Sequence, residues 1–134
     1  MAPLEPWLLD TQLLLWWAVD PQRLPAGFAE SLQNPDQPVL FSVVSLWEVA
    51  IKASLGRPDF QVDALALRQG LRANGFSELA ITAEQVIAVQ ALPWIHRDPF
   101  DRLLVAVSQT EGVPLITADA TLSRYGPGLR CVVA

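Results

Sequence analysis

Four acids in this sequence stand where carboxylates can do chemistry. Asp10 follows directly on the apolar run Trp7-Leu8-Leu9, and Asp119 comes soon after Leu115-Ile116-Thr117. Glu48 lies one turn into a helical stretch that follows Val39-Leu40-Phe41-Ser42. Asp101 lies one turn into a helix opened by Asp98-Pro99, ahead of Leu103-Leu104-Val105-Ala106. Carboxylates gathered at one edge of a sheet repel one another, which costs free energy unless a cation compensates. Their oxygens are hard donors, and no Cys or His cluster stands near them to favour zinc. Mg²⁺ or Mn²⁺ suits such a set, because these ions keep water and phosphate oxygens as remaining ligands. Two such ions about 4 Å apart can clamp an in-line displacement at a phosphodiester.

Each acid also has a structural use. Asp10 can cap the helix that follows it. Ser45-Leu46-Trp47-Glu48 fits a capping box, and Glu48 and Lys52 are spaced for a helical ion pair. Asp98 before Pro99 reads as an N-cap with proline at the first helical position, which alone accounts for it. Asp101 in the first turn favours the helix dipole. Asp119 can cap the short segment Ala120 to Arg124. His96, the only histidine, reads as support for the loop before Pro99, the other reading being a role near a scissile phosphate. Arg97 and Arg102 can steady a phosphate through guanidinium hydrogen bonds, though Arg102 can also pair with Asp98. Trp16, Trp17 and Trp47 sit in apolar helical stretches and read as core or dimer contacts.

The elements that must position these residues alternate along the chain. Strands are read at Trp7–Leu9, Val39–Ser42, Glu78–Ile81, Val113–Thr117 and Leu129–Val133. Helices are read at Thr11–Trp17, Pro25–Gln33, Ser45–Leu55, Val62–Ala73, Thr82–Ala91 and Pro99–Glu111, with Gly56 and Gly112 as stops. Strands alternating with helices imply parallel pairing through right-handed crossovers. Strands written as apolar runs imply that both sheet faces are covered. The fold class is therefore α/β: a three-layer α/β/α domain with a central parallel sheet. Its ligand site is expected beyond the carboxyl ends of the strands.

The bulk numbers bound the rest. A chain of 134 residues, 51% of them hydrophobic, is read as a single domain over residues 1–134 that buries its own core. Charged residues make up only 17%, so a partner is expected to cover part of a rather apolar surface. Cys131 is the only cysteine and is read as a buried strand residue. No signal-peptide pattern opens the chain, and no apolar run approaches the roughly 20 residues of a membrane span. The expected setting is the cytoplasm, without a membrane. Net charge is −5, unusual for a nucleic-acid binder. The four acids carry −4 of it, so a metal site removes most of that objection.

Four segments carry a resemblance. Leu8-Leu9-Asp10-Thr11-Gln12-Leu13-Leu14-Leu15-Trp16, Ser42-Val43-Val44-Ser45-Leu46-Trp47-Glu48-Val49-Ala50-Ile51-Lys52, His96-Arg97-Asp98-Pro99-Phe100-Asp101-Arg102-Leu103-Leu104-Val105-Ala106 and Leu115-Ile116-Thr117-Ala118-Asp119 resemble the PIN-domain toxins of the VapC type. The resemblance runs over nearly the whole chain, in order and with similar spacing. It implies a PIN-like fold and a metal-dependent endoribonuclease that cuts RNA by attack of activated water on phosphorus. Asp10, Glu48, Asp101 and Asp119 would surround one or two Mg²⁺ or Mn²⁺ ions. Thr117 matches a small hydroxyl residue beside the fourth acid; Asp98 and Arg102 would lie near the site. A cognate antitoxin would hold the enzyme inactive, and a homodimer is expected. Gln12 stands where many relatives carry His, which implies altered substrate contacts. The competing reading is a catalytically silent PIN-like binding module acting through its antitoxin. A phosphatase or phospho-acceptor domain fits poorly, since no second Asp follows Asp10 two residues on and no Walker-type loop is present.

Overall fold

The structure is a computed structural model that describes residues 4–133. Its strands are β1 (Trp7–Leu9), β2 (Val39–Ser42), β3 (Ser77–Leu79), β4 (Leu115–Thr117) and β5 (Leu129–Cys131). Its helices are α1 (Thr11–Val19), α2 (Ala26–Gln33), α3 (Val43–Ser54), α4 (Ala64–Ala73), α5 (Ala83–Ala88) and α6 (Pro99–Glu111). Short 3-10 turns occupy Pro21–Arg23, Val89–Ala91 and Leu122–Tyr125. Among these, no helix is long and apolar enough to cross a membrane.

The strands form one sheet in the order β3-β2-β1-β4-β5, with every neighbouring pair parallel. The chain moves outward from β1 through β2 to β3, then returns to the other side of β1 for β4 and β5. This reversal opens a crevice beyond the carboxyl ends of β1 and β4, where sheets of this kind place ligands. Leu8 and Leu9 pair with Leu115 and Ile116, so Asp10 and the residues after Thr117 emerge side by side.

Alternation along the strands divides the core. Leu9, Phe41 and Ile116 face Leu13 and Leu14 of α1, Phe28 of α2 and Leu67 and Leu71 of α4. Leu8 and Leu115 face Val44, Leu104, Val105 and Leu122 on the other side. Both faces are covered, as the three-layer reading expects. The edges differ from that reading: β3 is Ser-Glu-Leu, with an exposed serine and Glu78 paired to Arg68 at 2.7 Å. An edge strand is covered less completely and tolerates such residues. Cys131, on the opposite edge, is half-buried and not fully enclosed.

Helix ends follow local chemistry. α6 begins as predicted, with Asp98 accepting from the backbone N–H groups of Phe100 and Asp101, and ends at Gly112 with φ of 67°. Thr82 caps α5 in a capping box with Gln85. α3 starts two residues earlier than predicted. Ser42, still extended at the end of β2, is its N-cap and accepts from Val44 N–H at 3.0 Å. The expected Ser45–Glu48 capping box is therefore absent: both residues lie within the helix.

Candidate active site

Three of the four acids owe their place to strand ends and helix starts at the crevice; α3 brings the fourth. Asp10 leaves β1 and caps α1. Its Oδ1 accepts from Leu13 N–H at 2.9 Å, and its Oδ2 accepts from the Thr117 hydroxyl at 2.5 Å and Ala118 N–H at 3.0 Å. Capping and function are thus the same geometry: the cap fixes a carboxylate that the end of β4 also holds. Burial pushes the Asp10 carboxyl above its ordinary range, against the pull of these three donors, and nearby Glu48 adds to the rise.

Glu48 is only 5% exposed. Its Oε2 accepts from Lys52 Nζ at 2.7 Å, the expected helical pair. Its Oε1 is buried without a hydrogen-bond partner among the described residues. A buried charged oxygen left unmatched costs more than the roughly 1–3 kcal/mol of a neutral group. Thr11 donates to Ser45 Oγ at 2.9 Å, which ties α1 to the first turn of α3 beneath Glu48.

Asp101 lies one turn into α6. Burial, then the charges of Asp98 and Glu48, push its carboxyl up to about 7, with His96 pulling the other way and Asp10 adding a smaller push. Asp119 follows β4 and is more exposed. Burial would raise its carboxyl, but hydrogen bonds from Thr121 N–H and His96 outweigh that and hold it below the ordinary range. Thr117 links the two sides: it donates to Asp10 and its oxygen accepts Asp119 N–H at 2.9 Å.

Asp10, Glu48, Asp98, Asp101 and Asp119 all line one cleft of about 260 Å³. The structure therefore brings together all four predicted acids, with Thr117 behind them and Asp98 as the α6 cap. Gln12 and Lys52 also line the cleft, and Leu15 and Trp16 supply an apolar wall.

Arg102 is a correction. It is buried and points away from the acids, donating to the carbonyls of Pro93 at 2.9 Å, Val89 at 3.3 Å and Leu92 at 3.4 Å and to the Tyr125 hydroxyl at 3.2 Å. Its guanidinium lies 3.9 Å from the Trp94 ring centroid. It neither pairs with Asp98 nor faces the cleft; it braces the loop before α6.

His96 exceeds its sequence reading. Its backbone is tied into that loop as expected, but its ring reaches the acids. Nε2 lies 2.9 Å from Asp119 and 3.5 Å from Asp101, and one donor atom from each of the three residues falls within 4.8 Å of the others. Trp16 is the feature sequence reasoning missed: it lines the cleft, and its indole N–H is buried without a partner among the described residues. Trp17 packs on Phe76 as a core contact, whereas Trp47 is half-exposed with its ring edge on Phe100.

The residues present suit a divalent cation. The donors are carboxylate oxygens, one is buried and unmatched, and Asp10 and Asp101 resist ionisation because they are buried and because negative charge stands near them. A cation reverses each of these penalties.

Comparison with known proteins finds chains similar to this one over most of its length. The family model described as PIN domain matches residues 7–127. Ribonuclease VapC22 of Mycobacterium tuberculosis is 30% identical over 119 residues, covering 88% of this chain and 90% of that protein. The VapBC2 structure from Rickettsia felis bound to a promoter DNA fragment superposes with TM-score 0.69 at 14% identity, covering 94% of this chain and 96% of that one. The DNA-bound VapBC of Salmonella typhimurium gives TM-score 0.66 at 17% identity, covering 96% and 97%.

Proposed function

From the premise that this chain belongs to the PIN domain family, we propose that it is a metal-dependent endoribonuclease, the toxin of a toxin–antitoxin pair. The observation that carries the chemistry is the buried, unmatched Glu48 oxygen beside Asp10 and Asp101, whose ionisation is suppressed. The ribonuclease relative supports RNA as substrate, and the VapBC neighbours support an antitoxin partner. The setting is the cytoplasm.

Asp10, Glu48, Asp101 and Asp119 would hold Mg²⁺ or Mn²⁺. When bound, the cation supplies activation of the attacking water and neutralisation of charge developing at phosphorus. The chain's own residues prepare the site. Thr117, Ala118 and Leu13 fix both oxygens of Asp10, so little reorganisation is left for the moment of reaction. Lys52 neutralises one side of Glu48 and, with Gln12, meets the substrate strand at the rim. Leu15 and Trp16 exclude water from one wall, which strengthens the electrostatics inside. A stripe of exposed apolar residues, Trp47 and Ile51 on α3 with Leu55 at its C-cap, supports a homodimer.

The test is incubation of the purified chain with a labelled RNA pool, with Mg²⁺ or Mn²⁺ and again with chelator. Fragments that need the metal are expected. RNA left intact in both arms would leave the silent binding module as the better description.

A further inference from the structure

His96 presents two ring nitrogens to two different tasks. Nδ1 faces the backbone N–H of Asp98 at 3.1 Å. Nε2 faces Asp119 Oδ2 at 2.9 Å. The Asp98 N–H can only donate, so Nδ1 must carry a lone pair and the ring proton sits on Nε2. That tautomer is assigned from the hydrogen-bond network. It makes Nε2 a donor to Asp119 and leaves that nitrogen no lone pair for a cation. The ring thus belongs behind the metal-holding acids and not among them.

Asp119 is the most exposed of the four acids. Its side chain is 41% exposed, against 6% for Glu48. Its Oδ1 accepts from Thr121 N–H at 2.9 Å and its Oδ2 from His96 Nε2 at 2.9 Å. The imidazole itself is braced. His96 N–H donates to the Tyr125 hydroxyl at 3.0 Å, and that hydroxyl donates to Pro93 O at 3.0 Å. Arg102 donates to the same Pro93 carbonyl and to Tyr125. A buried guanidinium, a phenol and a loop therefore fix one donor hydrogen against the most exposed of the acids.

We infer that His96 is a positioning residue whose Nε2–H orients the Asp119 carboxylate for the divalent cation. The inference rests on the metal-dependent reading above. Groups that orient a ligating side chain typically change metal affinity about 10- to 100-fold when removed.

Two substitutions separate the ring's tasks. His96→Asn keeps an acceptor near the Nδ1 position for Asp98 N–H but is too short to reach Asp119. His96→Gln places an amide N–H near the Nε2 position and gives up the acceptor for Asp98. Mn²⁺ binding to the full chain is measured by calorimetry, beside thermal melting by circular dichroism. The expected result is affinity lowered about 10- to 100-fold in the Asn variant with melting little changed, and largely restored in the Gln variant. Parent-like affinity in the Asn variant overturns the inference alone. So does equal weakening in both variants, which would make the imidazole itself the requirement. Absence of Mn²⁺ binding by the parent chain overturns the metal reading and the inference together.

Discussion

Asp101 makes the cation-free protein sensitive to pH in a direction opposite to most carboxylates. Its carboxyl titrates at about 7 in the fold, against an ordinary 3.8. Below about pH 4 both folded and unfolded chains hold the proton, and the group contributes no penalty. Between these values the folded state keeps a proton that the unfolded chain has lost, so stability falls as pH rises. At 1.36 kcal/mol per unit, the whole shift corresponds to roughly 4 kcal/mol, of which roughly 2–3 kcal/mol is lost between about pH 5 and about pH 8. Asp101→Asn removes the ionisable group and with it that slope. The assay is urea unfolding of parent and variant in chelator at the two pH values. The variant should be the more stable at the higher pH, and the gap should close at the lower one. Saturating Mn²⁺ should stabilise the parent at the higher pH, with little effect on the variant. A parent chain whose stability rises over this range as steeply as the variant's, or an Asn variant that is less stable at the higher pH, would show that burial and neighbouring charge do not hold this carboxyl near 7.

Other outcomes follow from the same geometry. Mn²⁺ affinity, read by calorimetry, should weaken as pH falls below about 7, because the cation must displace the Asp101 proton. Thr117→Val removes the donor to Asp10 and the acceptor for Asp119 N–H; a stability loss of about 1–3 kcal/mol and weaker Mn²⁺ binding are expected, and parent-like values for both would count against the role given to that hydroxyl. Arg102→Lys cannot reproduce a guanidinium spread over several loop carbonyls; about 2–4 kcal/mol should be lost in urea unfolding, and a neutral result would refute the bracing. Ile51→Asp on the α3 stripe should yield a monomer by light scattering with the helix content of the parent, and an unchanged mass would remove that face from the dimer.

Most of the fold was legible because the central strands β1, β2 and β4 announce themselves as short apolar runs, and β1 and β2 lead directly into helices. Asp10 and Asp119 were readable as acids at strand ends, and Asp98-Pro99 fixed the start of α6. The start of α3 was misread because Ser42 and Ser45 are both good caps by type. The choice between them depends on Ser42 remaining extended in β2 and on Thr11 reaching Ser45, a contact across 34 residues. Arg102 was misplaced for a related reason. Position along a helix says which turn a side chain leaves from, but the carbonyls that receive it come from a loop about ten residues earlier, and the remaining acceptor is the Tyr125 hydroxyl. His96 was read as loop support from its neighbours. Its second task needed the end of β4 to bring Asp119 within 2.9 Å, which no local spacing encodes. The buried indole N–H of Trp16 is likewise a property of packing, since one Trp in an apolar helix looks like another.

The most direct measurement compares cleavage of end-labelled RNA by the parent chain and by Asp10→Asn at equal Mn²⁺, each repeated with chelator. Asn keeps the size of Asp10 and most of its contacts but lacks the charge, so the fold should persist by circular dichroism. Cutting by the parent with Mn²⁺, lost both on chelation and in the variant, is the expected pattern. Equal cutting by the variant, or cutting that persists in chelator, would contradict a nuclease built on these four acids.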